Sequence, residues 1–305
     1  MIDDLKNKLL KANLRIVSQK EIQYGIQFLI ENCGYLRIYF RKNKSTTVDL
    51  SQIKPSCLEK IKHALGEEKP TFETLFCKDS DLSIQKRILE NLPADPKNIL
   101  PAIGSDEVGK GDVFGPVVVT AVYIGCKEYV ALKDVDIKDS KSINDRKILE
   151  ISKKIKNICP HAIVVFEPER LNEKKINMNR LLEQMHIDAI SRVLEKRSSL
   201  IAVYDDFGAK KDRMRSIEQL TLIGFKNGER NLAVAAASIV SRAEFLNWIE
   251  TRSKFYEMEI PLGASNKTIE FIRQFIKKYG LEELKKIAKL CFSNVRKFLT
   301  LEQNS

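Results

Sequence analysis

Histidine is scarce in this chain of 305 residues, with three in all, and its six cysteines include no Cys-x-x-Cys pair. No histidine stands at a zinc-ligand spacing from Cys33, Cys57, Cys77, Cys126, Cys159 or Cys291, which excludes an ordinary zinc module. Most of these cysteines have apolar neighbours, a pattern that predicts reduced, buried thiols in a cytoplasmic protein. The opening MIDDLKNKLL contains acids and no apolar run long enough for a secretory signal. No window approaches the roughly 20 apolar residues that a membrane span needs, so no membrane partner is expected. Repeats and low-complexity tracts are lacking too. What remains is 43% hydrophobic, enough for packed cores, and carries a net charge of +11, which suits a polyanionic partner.

The length suggests two domains. Leu5, Leu9, Leu10 and Leu14 recur at near-helical spacing and predict a short opening helix. Strand texture follows at Tyr24–Ile30, Tyr35–Phe40 and Thr46–Leu50, with turns between, giving an antiparallel meander. In its middle strand Leu36, Ile38 and Phe40 share one face, and Tyr35, Arg37, Tyr39 and Arg41 the other. Rings interleaved with guanidinium groups can stack on nucleotides and pair with phosphates. Helical patterns near Pro55–Leu65 and Leu82–Leu92 complete a first domain over 1–92. Pro93 and Pro96 break helix and strand alike, so 93–98 is read as a linker. From Ile99 onward strands and helices alternate. Strands are predicted at 102–107, 117–124, 162–166, 200–205 and 220–225, and helices at 144–158, 177–196, 231–255 and 267–279, an α/β domain over 99–305.

The stretch from Gly104 to Pro116 (GSDEVGKGDVFGP) carries the most information. Two adjacent acids, Asp106 and Glu107, sit where an apolar strand should end. Neighbouring side chains on a strand point to opposite sides, so the two reach different positions around a divalent cation. In Gly109-Lys110-Gly111 the glycines let backbone approach a ligand, and Lys110 brings a charge that phosphate would seek. A second apolar strand, Leu200–Tyr204, ends in Asp205-Asp206, and ligand-binding groups gather at such strand ends. Glu229 precedes a long helix in which Ala233, Ala236, Ala237, Val240 and Ser241 allow close packing on a sheet. Acids converging on one spot need compensation, and Mg²⁺ or Mn²⁺ supplies it through oxygen ligands. His63, His161 and His186 give no evident acid/base pair.

These residues resemble a known family. The run from Asp106 to Pro116 is similar to the motif that opens the catalytic domain of type 2 ribonucleases H, and its Gly-Lys-Gly turn is closer to the ribonuclease HIII branch than to ribonuclease HII. Asp205-Asp206-Phe207 matches the HIII triplet Asp-Gln-Phe with Asp206 in place of Gln, so the resemblance gives the catalytic role to Asp205. Glu229, upstream of Ala236-Ala237-Ser238-Ile239, stands where HIII proteins carry Glu and HII proteins Asp. Asp139-Ser140-Lys141 resembles a further motif, with Ser140 and Lys141 toward the substrate backbone. Asn177-Met178-Asn179 and the segments 262–265 and 288–292 also match, with Cys291 where many members have His.

The resemblance implies a ribonuclease H-like mixed sheet with flanking helices, preceded by a small α+β domain similar to the TATA-binding-protein fold. It implies a monomeric endoribonuclease that cuts the RNA strand of RNA/DNA hybrids with two cations held by Asp106, Glu107, Asp205 and Glu229. The Gly-Lys-Gly turn would read the 2′-hydroxyl, and Tyr35, Arg37 and Tyr39 would help hold the hybrid. The competing readings are an HII-type nuclease for single ribonucleotides in DNA and a hybrid-binding protein without activity. Lys277, Lys278, Lys285, Lys286, Lys289, Arg296 and Lys297 form a basic tail that reads first as a solvated helix face and otherwise as a path for the strand.

Overall fold

The computed structural model describes residues 2–12, 14–40, 47–54, 57–58, 61, 64–65, 80–137, 143–173, 176–208 and 217–303. It divides into two units, Met1–Leu75 and Phe76–Ser305.

In the first unit, helix α1 (Ile2–Lys11) precedes strands β1 (Ile16–Ile22), β2 (Gly25–Ile30), β3 (Gly34–Tyr39) and β4 (Thr47–Ile53). They form an antiparallel meander in the order β1-β2-β3-β4. Ile26, Phe28, Ile30, Leu36 and Ile38 alternate onto one face and bury against Leu9, Leu14, Ile61 and Ala64. Strand β1 was not anticipated. Its centre, Ser18-Gln19-Lys20-Glu21, is exposed and polar, as suits an edge strand, and it leaves no apolar alternation to read. The helix expected near 55–65 falls mostly outside the described residues, as does Arg41.

The cysteines depart from the expected reduced state. Cys33 and Cys57 are joined as a disulfide with Cα atoms 5.5 Å apart, because the pairing of Gly34 with Ile53 sets the start of β3 beside the chain that leaves β4. Cys126 is also disulfide-bonded. Cys159 is a buried free thiol pushed up to about 12 mainly by burial, and Cys291 is an exposed one.

In the second unit, a five-stranded sheet has the order β7-β6-β5-β8-β9. Strand β5 (Ala102–Val108) pairs antiparallel with β6 (Val117–Ile124) and parallel with β8 (Ile201–Asp205). β7 (His161–Phe166) flanks β6, and β9 (Thr221–Phe225) runs parallel to β8. Helix α7 (Leu232–Tyr256) packs on β5 and β6 from one side. A Cβ on Gly104 would stand 2.0 Å from the Ala233 carbonyl carbon, so the close approach needs glycine there. Helix α6 (Met178–Leu194) packs against β5, β6 and β7, burying Leu182, Met185, Ala189, Ile190 and Val193 with Val117, Val119 and Ala121. Asn177 and Asn231 cap α6 and α7, and Asn144 caps α4 (Asp145–Ile158). The last expected helix extends to Ile287 as α8 (Asn266–Ile287), broken at Gly280, where φ is 84°. Among the described residues α7 alone is long and apolar enough to cross a membrane, yet most of its apolar stretch is buried against the rest of the unit, as in a core helix.

Two boundaries differ from the sequence reading. Helix α2 (Asp81–Glu90), assigned on the sequence to the first domain, belongs to the second unit. Its Asp81 accepts from the Tyr123 hydroxyl at 2.6 Å and pairs with Arg197. Its buried Gln85 donates to the Pro101 carbonyl and the Ser199 hydroxyl and accepts from the Leu200 N–H. Helical periodicity alone cannot tell which core a helix serves. Nor is 93–98 a free linker. Asp95 caps a 3₁₀ turn, Pro96–Asn98, and the Asn231 side chain donates to the carbonyls of Pro96 and Ile99. The prolines end helix and strand as expected, but the freed carbonyls find partners inside the unit.

Candidate active site

Strand alternation sets the geometry at the end of β5. Gly104 and Asp106 face α7, whereas Ser105 and Glu107 face α6. The Ser238 side chain on α7 hydrogen-bonds the Asp106 carboxylate, and the Ser241 hydroxyl donates to the Asp106 carbonyl at 3.0 Å. The register pairs Ser105 with Tyr204, which sets Asp106, near the end of β5, level with Asp205, the last residue of the adjacent parallel strand. Asp205 Oδ1 accepts from the Gly228 N–H at 2.7 Å, and a Cβ on Gly228 would lie 2.8 Å from the Asp205 Cα. Glu229 follows in the 3₁₀ turn Gly228–Arg230, which is fixed beside Asp205 from both ends. Arg230 pairs with Asp95 at 2.8 Å, and Asn231 anchors as described.

Burial, followed by the like charges of Glu107 and Asp205, pushes the Asp106 carboxyl up to about 8, against the opposing bonds from Ser238 and the Glu107 N–H. Among the described residues, no group of three or more His, Cys, Asp or Glu side chains is already gathered closely enough to hold a metal ion. The structure thus brings acids to one sheet end without closing them into a cage.

The Gly-Lys-Gly turn lies directly beyond β5. Gly109 has φ of 88°, and a Cβ there would meet the Pro116 carbonyl at 2.1 Å. Gly111 has open space around it. Lys110, whose charge the sequence reading offers to a phosphate, has a protein partner in this structure. Its Nζ donates to the Phe207 carbonyl at 3.3 Å and sits 5.6 Å from the Phe207 ring centre, tying the turn to the loop after β8. Asp206 points its carboxylate to the Gly208 N–H, a local turn contact. Ser140 and Lys141 lie outside the described residues. Tyr35, Arg37 and Tyr39 share a face of the first unit's sheet opposite its buried one, with Tyr35 40% exposed. Arg37 is engaged there by Gln27 at 2.7 Å, Gln52 at 2.8 Å and Asp49 at 3.6 Å.

The basic tail also needs correction. Lys289 is fully buried, donating to the carbonyls of Phe114 and Gly115, and burial lowers it to about 8. Lys285 and Lys286 pair with Glu282 and Glu283. The lysine-rich pattern hides one structural lysine and two surface ion pairs.

His186 was missed. It is 0% exposed on the apolar face of α6, with Nδ1 2.7 Å from Ser105 Oγ and Nε2 3.3 Å from Glu107 Oε2. Its ring stacks on Phe207, centres 4.8 Å apart and planes 17° from parallel. The available signal was its helical phase with Leu182, Met185, Ala189 and Ile190, since a buried imidazole needs hydrogen-bond partners.

Acids at the ends of adjacent parallel strands, beside a glycine turn and a close-packed helix, define a nuclease-like α/β domain. A family model described as ribonuclease HII matches residues 103–295. Ribonuclease HIII of Phytoplasma mali is 35% identical over 73% of this chain and 81% of its own length. That of Protochlamydia amoebophila is 31% identical over 70% and 74%. Among solved structures, Bst-RNase HIII in complex with Mn²⁺ is similar with a TM-score of 0.62 at 24% identity, covering 99% of this chain and 97% of its own. Ribonuclease H2 of Pyrococcus horikoshii, with a TM-score of 0.58 at 22% identity, covers only 67% of this chain but 99% of its own. The fold likeness over both units is therefore to the HIII type. The chain belongs to the ribonuclease HII family and, within it, to the ribonucleases HIII. It is a nuclease.

Proposed function

We propose that this chain is an endoribonuclease that hydrolyses the RNA strand of RNA/DNA hybrids with two divalent cations, Mg²⁺ or Mn²⁺. The observation that carries this reading is the placement of Asp106 level with Asp205 on neighbouring parallel strands, with Glu107 and the Glu229 turn beside them. The residues fit such cations. All the donors are oxygens, and the repulsion that raises Asp106 is what a cation would relieve. The Mn²⁺ complex of Bst-RNase HIII supports the choice. Asp106, Glu107, Asp205 and Glu229 would hold the ions, which supply an activated water and stabilise the leaving 3′-oxygen.

The chain's own groups do the positioning. Ser238 and Ser241 fix Asp106, the Gly228 N–H fixes Asp205, and the Gly109–Gly111 backbone offers polar groups to a 2′-hydroxyl. Lys110, held on Phe207, keeps the turn against the β8 loop. Hydrolysis leaves 5′-phosphate and 3′-hydroxyl ends. Ser140 and Lys141 would contact the substrate backbone, and the Tyr35–Tyr39 face would hold the hybrid. Action as a cytoplasmic monomer away from membranes belongs to the same proposal.

The test is cleavage, with Mg²⁺, of a long RNA/DNA hybrid, a DNA duplex with one ribonucleotide, and an all-DNA duplex. Preferential cutting of the hybrid is expected. Preference for the single ribonucleotide would replace this reading with an HII-type nuclease, and no cutting would leave a binding protein.

A further inference from the structure

We propose that Ser105 and His186 form a positioning relay that sets the Glu107 carboxylate for cation binding. The inference rests on the cation reading above. Ser105 and Glu107 are residues i and i+2 of β5, so both project toward α6. His186 on that helix bridges them, one ring nitrogen to each.

The chemistry fixes the tautomer. In a neutral ring, an Nδ1–H donated to Ser105 would leave the Nε2 lone pair facing the carboxylate and repelled by it. With the Ser105 hydroxyl donating to Nδ1, Nε2 carries the hydrogen and donates it to Glu107 Oε2. One carboxylate oxygen is then held from behind, which leaves the other for a cation. Phe207, stacked on the imidazole, prevents the ring from rotating away. Phe207 is also where Lys110 attaches, so the ring joins the 2′-hydroxyl turn to the acid it serves. Because His186 is fully buried, it cannot touch the substrate and acts only through Glu107. Partners that orient a metal-binding group in this way typically alter metal affinity by about 10–100-fold.

The experiment is calorimetric titration of the substrate-free protein with Mn²⁺, joined to steady-state cleavage of a hybrid at saturating Mn²⁺. His186→Ala should weaken Mn²⁺ binding by about 10–100-fold and lower kcat, with KM for the hybrid nearly unchanged. Ser105→Ala should weaken Mn²⁺ binding by a smaller factor. His186→Gln can return an N–H toward Glu107 and should recover most of the affinity. Thermal unfolding without metal identifies variants that fail to fold, and if His186→Ala is one of them, the other two carry the test. Mn²⁺ affinity and kcat of a folded His186→Ala protein indistinguishable from the parent would overturn the relay. So would a normal Ser105→Ala protein together with an unrescued His186→Gln. A parent protein that binds no Mn²⁺ would instead refute the cation reading itself.

Discussion

The two sheets of this molecule treat their carboxylates in opposite ways. In the first, Asp49 is bonded by Ser51 and faces Arg37, and these contacts hold it below the usual carboxylate range. Arg37 is in turn engaged by Gln27 and Gln52, so the charges on that face balance among themselves. At the end of the second sheet Asp106 is pushed up to about 8 by burial and by acidic neighbours. A crowded group of acids needs a cation brought from outside, and cations at a phosphodiester are the means of its hydrolysis. If the first sheet holds the hybrid as proposed, the contrast separates holding from cutting.

The largest expected effect tests the cutting side. Asp106→Asn keeps the shape but removes a ligand, and hybrid cleavage should fall to background in a steady-state assay. Next is deletion of residues 1–75. If the first sheet only holds, KM for the hybrid should rise severalfold while kcat survives, and loss of both would break the contrast. The single-unit likeness to the Pyrococcus horikoshii enzyme gives reason to expect that the remainder folds.

Gly104→Ala should cost about 1–3 kcal/mol or more by forcing α7 off β5. A lowered melting temperature with kcat largely retained at permissive temperature would show that the helix sets stability before chemistry. pH sharpens the comparison further. A carboxyl raised to about 8 in the folded state keeps its proton where the unfolded chain, near 3.9, has lost it. Stability of the metal-free protein should therefore fall as pH rises from about 4 to 8, and saturating Mg²⁺ or Asp106→Asn should flatten that fall. The smallest effects belong to the first sheet. Tyr35→Ala should weaken hybrid binding by about 1–3 kcal/mol if the ring stacks on a base, and Arg37→Ala by less, since its guanidinium is already engaged.

Much of this was legible because strand ends announce themselves. Apolar runs that stop at Asp106 and at Asp205 gave both strands and both acids, and small residues in α7 announced close packing. The sequence did not reveal what depends on partners far along the chain. β1 hid because an edge strand needs no apolar alternation, and the unit that α2 joins hid because a buried glutamine reads as a surface residue. Lys289 read as part of a basic face for the same reason that His186 read as chemically idle. A buried polar side chain shows its burial only once its partners are in place, and those partners lie 174 and 175 residues away for Lys289 and 79 and 81 for His186.

The central claim is that chemistry belongs to the strand-end carboxylates and not merely to acidity in that region. Asp205 and its neighbour Asp206 test it most directly. Asp205 is fixed by the Gly228 N–H, whereas Asp206 turns to the N–H of Gly208. Cleavage of one labelled RNA/DNA hybrid by Asp205→Asn and Asp206→Asn proteins should be measured side by side, with product ends mapped. The account predicts no products from Asp205→Asn and parent-like cutting, with 5′-phosphate and 3′-hydroxyl ends, from Asp206→Asn. Cutting by Asp205→Asn, or equal loss in both, would contradict it.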